Sequence, residues 1–66
     1  MPKKPTKANI KKAAEASITY HGGISEAITS FEGARELAKQ VKDTRAVHTY
    51  NRLIKYCEAR RLATAT

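Results

Sequence analysis

Sixty-six residues make a single domain, close to the smallest size at which a chain folds without metal or disulfide help. Thirteen Lys and Arg stand against six acids, a net charge of +7. That excess points to a polyanionic partner, nucleic acid before membrane or acidic protein, with a charge serving solubility alone as the competing reading. No run approaches the ~18 apolar residues of a membrane span, and the single cysteine excludes an intramolecular disulfide, which argues for a reducing compartment.

Residues 1–6 read as a flexible basic arm. Pro2, Pro5, Lys3 and Lys4 leave almost nothing apolar to bury, and no signal core is present, as expected of a cytosolic start. Thr6 is a natural N-cap, because Pro5 cannot continue a helix backwards. The first helix is expected from about Lys7 to Tyr20. Ile10, Ala13, Ala14, Ser17, Ile18 and His21 fall on or near one stripe. Lys7, Lys11 and Lys12 extend the charge of the arm onto the first turns, where cations oppose the helix dipole by a few tenths of a kcal/mol each. A start that the helix itself disfavours suggests an outside anion.

Gly22-Gly23 should end this helix by supplying a left-handed residue, with Ser25 capping the next. Between Ile24 and Val41 the apolar residues are Ile24, Ala27, Ile28, Phe31, Ala34, Leu37, Ala38 and Val41. One helix of about five turns could carry them. Gly33 sits mid-run at a cost near 1 kcal/mol relative to alanine. The stripe also rotates by about 100° between Ile24-Ile28-Phe31 and Ala34-Leu37-Val41 on a helical wheel. A break at Glu32-Gly33, giving two short helices, is therefore favoured over a continuous one.

Lys42-Asp43-Thr44 forms the next turn, with Asp43 or Thr44 as cap. From Asp43 to Leu62 the chain reads as one helix with two unlike faces, and residues 63–66 are expected to fray. Ala46, Val47, Tyr50, Leu53, Ile54, Cys57 and Arg61 lie along one side. Arg45, His48, Arg52, Lys55 and Tyr56, with Ala59, lie along the other, and no acid joins them. The first side can anchor a helix in a small core. The second presents guanidinium groups, an imidazole, an amine and a phenol, the donors with which a helix reads a DNA groove.

No segment alternates with period two and no hairpin dipeptide occurs. The expected fold is an all-α, compact three- or four-helix domain over residues 7–62.

Gly33 to Leu62 resembles the helix-turn-helix of small bacterial and phage transcription regulators. The likeness rests on Ala34-Arg35-Glu36-Leu37-Ala38-Lys39-Gln40-Val41 and then Asp43-Thr44-Arg45-Ala46-Val47. The resemblance implies a short supporting helix with a Leu-Ala pair, and a second helix entering the major groove. Val41 and Val47 would hold the two together. Thr44, Arg45, His48, Thr49 and Arg52 would form the recognition surface. The family usually has a glycine in the turn where Lys42 stands, and the turn looks one residue short. Glu58-Ala59-Arg60-Arg61-Leu62 is similar to the end of a winged-helix recognition helix, but with four residues following it no β-wing is expected. The competing reading is any helical bundle with a solvated basic face.

Other chemistry is poorly supported. His21, His48 and Cys57 are too few and too scattered for zinc, whose ligands come in close pairs. His48 and Cys57 lie on opposite sides of one helix and cannot form a nucleophile–base dyad. No phosphate-cradling glycine loop or persuasive carboxylate pair is present, and no enzymatic activity, cofactor, metal or small-molecule substrate is expected. Tyr50 and Phe31 belong to the core by spacing. Tyr56 is expected exposed, able to meet a phosphate, a base or a dimer partner.

Three functions compete. The leading one is a sequence-specific DNA-binding regulator of phage or plasmid type, cytoplasmic in a bacterial or infected cell. It would work as a homodimer, because one recognition helix reads only a few base pairs. Its contacts would be Thr44, Arg45, His48, Thr49, Arg52, Lys55 and Tyr56, backed by Lys3, Lys4, Lys7, Lys11 and Lys12. The second is an RNA-binding protein whose basic arm folds on its target. The third is a protein–protein inhibitor or adaptor that docks on an acidic surface.

Overall fold

The computed structural model describes residues 6–65. They form three helices, α1 (Lys7–His21), α2 (Ile24–Gln40) and α3 (Thr44–Ala65), and no strand occurs among them. The protein is all-α, a compact three-helix domain. Two short connections turn the chain back on itself twice. α3, at 22 residues, is about 33 Å long and accounts for most of the 37 Å long axis. No described helix is long and apolar enough to cross a membrane.

Five of the six helix ends have an identifiable cause. Thr6 caps α1, its hydroxyl accepting from the Asn9 N–H at 3.1 Å. Gly22, at φ 77°, supplies the left-handed residue that stops α1, and the Gly23 N–H closes the turn onto the Ile18 carbonyl. Ser25 does not cap α2. The extended Gly23 takes that position, so the helix starts at Ile24 with Ser25 already inside it and Glu26 in its first turn, near the positive dipole end. α2 ends in a Schellman turn: the Lys42 N–H donates to Lys39 and the Asp43 N–H to Ala38. Lys42 is the left-handed residue there, at φ 58°. Asp43 then caps α3 through its carboxylate, which accepts from the Ala46 N–H at 3.1 Å.

The expected break at Glu32-Gly33 is absent, and α2 runs unbroken through Gly33. A glycine there forfeits about 1 kcal/mol of propensity, which packing on both sides offsets. Ile24, Ala27, Ile28, Phe31, Arg35 and Ala38 share one stripe, and Leu37 and Val41 are not on it. Those two are 64% and 75% exposed. Arg35 fills the stripe position that the apolar pattern leaves empty, reaching α3 to donate from Nη1 to the Asn51 Oδ1 at 2.8 Å. Val41 therefore does not hold α2 to α3 as expected, whereas Val47 is half-buried.

The core joins Ile10 and Ala14 of α1, Ala27 and Ile28 of α2, and Leu53, Ile54 and Cys57 of α3, with Ile18, Ile24, Phe31, Tyr50 and Tyr56 packed against them. Phe31 and Tyr50 meet with ring centroids 6.3 Å apart. Ala13, His21 and Arg61, placed on apolar stripes by spacing, are exposed. Arg61 lies past Cys57, the last buried residue of α3, so nothing remains for it to cover. α3 itself continues through Ala65, three residues beyond the expected end at Leu62, and the Thr64 hydroxyl bonds the Arg60 carbonyl there.

Candidate nucleic-acid interface

Because Leu53, Ile54 and Cys57 fix the inner side of α3, the outer side is fixed as well. Arg45, His48, Arg52 and Lys55 are all exposed along it. Ten residues separate Arg45 from Lys55, a rise of about 15 Å. The strip is thus nearly three turns of cationic and imidazole side chains backed by a packed core.

The two halves of the strip differ. In the first, Arg45 and the half-buried Thr49 border a recess of about 430 Å³ that also involves Asp43, Ala46, Tyr50 and Leu53. The Thr49 hydroxyl donates to the Arg45 carbonyl at 3.1 Å, and Thr44 is the exposed first residue of the helix. The Asp43 carboxylate, the acid nearest to Arg45 in sequence, is committed to its capping bond. His48 lines neither this recess nor the groove described next.

In the second half, α3 lies beside α1. Lys7 and Lys11, one turn apart on α1, face Arg52 and Lys55 across a groove of about 520 Å³ whose apolar lining is Ile10, Tyr56 and Ala59. Every charged residue among these described lining residues is a cation. Lys12 stands about 100° round the helix from Lys11 and points away from the groove, exposed. Lys3 and Lys4 lie outside the described residues. The structure therefore brings Lys7 and Lys11 together with Arg52, Lys55 and Tyr56, and sets Thr44, Arg45 and Thr49 apart from them near the start of α3.

Tyr56 is not the exposed phenol that the wheel suggests. It is half-buried, and its hydroxyl donates to the Glu15 Oε2 at 2.7 Å. The same carboxylate oxygen receives the Arg60 Nη1 in an ion pair. Glu15 thus ties α1 to α3 at the edge of the groove, and its charge is balanced by Arg60. Glu15 and Arg60 were not among the expected site residues. No signal in the chain pairs residues 45 positions apart without knowledge that α1 and α3 advance in the same sense.

Cys57 is fully buried at the centre of the core, and that burial, reinforced by the nearby Glu58 charge, pushes its thiol pKa above the ordinary value. It is a packing residue with no reactive thiolate. No group of three His, Cys, Asp or Glu side chains among the described residues could hold a metal ion. His21, at the end of α1, sits edge-on to Tyr20 with centroids 5.0 Å apart. Compared with protein-family models, with curated proteins and with solved structures, the chain has no match in any of the three.

Proposed function

We propose that this protein binds duplex DNA as a small transcription regulator of phage or plasmid type, with the outer face of α3 entering the major groove. The observation that carries the reading is the exposed strip Arg45-His48-Arg52-Lys55, free of acids and held rigid by buried Leu53, Ile54 and Cys57 on its reverse. A recognition helix needs those features together: donors for base edges, positive charge for phosphates, and a fixed backbone. The left-handed Lys42 adds support, because it stands where the helix-turn-helix likeness calls for a turn glycine, the residue that adopts positive φ most readily.

In this reading Arg45 and Thr49 approach base edges near the helix start, as recognition helices do. Arg52 and Lys55 serve phosphates, and Arg52 can share a base contact. Lys7 and Lys11 extend the phosphate-binding surface onto α1. Two copies act on a symmetric site, and the exposed Leu37 and Val41, one turn apart, offer a small apolar contact between them. The setting is the cytoplasm of a bacterial or phage-infected cell.

The test is enrichment of binding sequences from a random duplex library, followed by affinities of Arg45→Ala and Arg52→Ala for enriched and random duplexes. Loss of an arginine that reads a guanine should cost ~1–3 kcal/mol of specific binding and spare random-sequence affinity more. Both variants should melt as the parent does, since neither side chain is in the core. If both bind like the parent, the strip is a solvated surface and the proposal fails.

A further inference from the structure

The α1–α3 groove has more than duplex binding requires. A duplex backbone meets a protein through phosphates and sugars, and surface cations suffice for that. Here the cations rim a concavity whose floor is Ile10, the Tyr56 ring and Ala59. It is an open furrow of about 520 Å³, long enough for a few nucleotides to lie along it. A duplex keeps its base faces stacked inside the double helix and so cannot lay one on these apolar side chains. A single strand can, because its bases are free to turn away from one another.

We infer that the α1–α3 groove is a binding site for an unpaired strand of nucleic acid, with phosphates on the four rim cations and a base against the apolar floor. This is the chemistry of single-strand recognition generally: a cationic track for the backbone and an apolar or aromatic surface for the base face. Charge supports it on two counts. All the charged groups among the described lining residues are positive, and Glu15, the acid at the groove's edge, is neutralised by Arg60 and held by Tyr56. The Tyr56–Glu15 bond also fixes the ring in place, so a base would meet a preformed surface. An acidic amphipathic peptide would satisfy the rim as well. The groove, however, extends along only about two turns of α3, from Arg52 to Ala59. That favours the shorter, more densely charged occupant.

The site adjoins the duplex-reading half of α3 and shares Arg52 and Lys55 with it, but the inference does not rest on duplex recognition. The separating substitution is Ala59→Leu. It stands on an exposed position of a helix, so the fold tolerates it, and it fills the floor without touching a charge. Fluorescence anisotropy with labelled oligothymidylate, a blunt duplex of equal length and an acidic helical peptide gives the readout. Oligothymidylate should bind the parent protein, and Ala59→Leu should weaken it about tenfold, the scale on which one base–side-chain stack contributes. Duplex affinity should fall less, because Ala59 lies one turn past Lys55, the last of the proposed duplex contacts. Lys11→Glu with Lys55→Glu should abolish oligothymidylate binding, whereas Arg45→Ala should leave it intact. Equal oligothymidylate affinity for the parent and Ala59→Leu would overturn the inference, because the floor would then be unused. A peptide that binds more tightly than oligothymidylate at the same ionic strength would overturn it in favour of a protein partner. Failure of the duplex arm alone would count against the proposed regulator and leave the groove assignment standing.

Discussion

Lys42 holds a backbone conformation that costs an L-residue roughly 1–2 kcal/mol, and the Schellman turn between α2 and α3 obliges it to stay there. Glycine at this position removes the clash but adds about 0.5–1 kcal/mol of unfolded-chain freedom to be lost on folding. The balance is a net gain of about 0.5–1 kcal/mol for Lys42→Gly. In a domain of this length that raises Tm by about 3–6 °C. Removal of the lysine charge is a confounder, which Lys42→Ala isolates: it discards the charge but keeps a Cβ, and should lie within a few tenths of a kcal/mol of the parent. Thermal and urea unfolding followed by circular dichroism measure both variants. If glycine and alanine melt together, the turn does not hold residue 42 at positive φ in solution, and the geometry assigned to the α2–α3 connection is wrong.

Other outcomes follow from the packing and the charge. Ile54→Ala should destabilise by ~2–5 kcal/mol in urea titration, because it empties a buried site shared by all three helices. Tyr56→Phe keeps the ring but removes the bond to Glu15, and should cost about 0.5–1.5 kcal/mol by the same assay. A Cys57 thiol whose pKa is raised in the folded state binds its proton more tightly than the unfolded chain does. Stability should therefore fall as pH climbs above the ordinary thiol value of 9.0, and Cys57→Ala should flatten that part of the profile in urea titrations at stepped pH. For duplex binding, log K should fall with log salt at a slope of about −4 to −6, roughly four to seven phosphates neutralised. A flat response by anisotropy would remove the case for a functional charge.

The features that local chemistry controls were legible in the chain. Thr6, Gly22 and Asp43 act at the helix ends through backbone rules that need no tertiary partner, and the inner side of α3 follows from spacing alone. The misreadings arose where a polar residue does a core residue's job. Arg35 occupies the α2 stripe, so the apolar residues taken alone trace a line that rotates towards Leu37 and Val41 and is interrupted at Gly33. Tyr56 lies on the flank of α3, where a wheel cannot distinguish solvent from a neighbouring helix, and its partner Glu15 is 41 residues away. The interface was legible by residue type but not by grouping. Nothing local says that Lys7 and Lys11 stand across from Arg52 and Lys55 while Arg45 does not.

Arg35 also bears on how this sequence chooses one bundle over its near alternatives. A small core of alanines and isoleucines is forgiving, since neighbouring registers of α2 against α3 would bury similar apolar area. A guanidinium on the seam is not forgiving. Its Nε is buried without a hydrogen-bond partner, so the group already carries a desolvation cost, and only the register that offers Asn51 to Nη1 recovers part of it. A one-turn slip would remove that bond and leave the half-buried guanidinium to water. The pair should therefore favour this register at some cost in stability, as polar groups on the seam do in some coiled coils. Arg35→Leu is accordingly expected to melt higher yet give broadened amide resonances along α2 and α3 as registers interconvert. Sharp, singly populated resonances in that variant would show that shape alone selects the register.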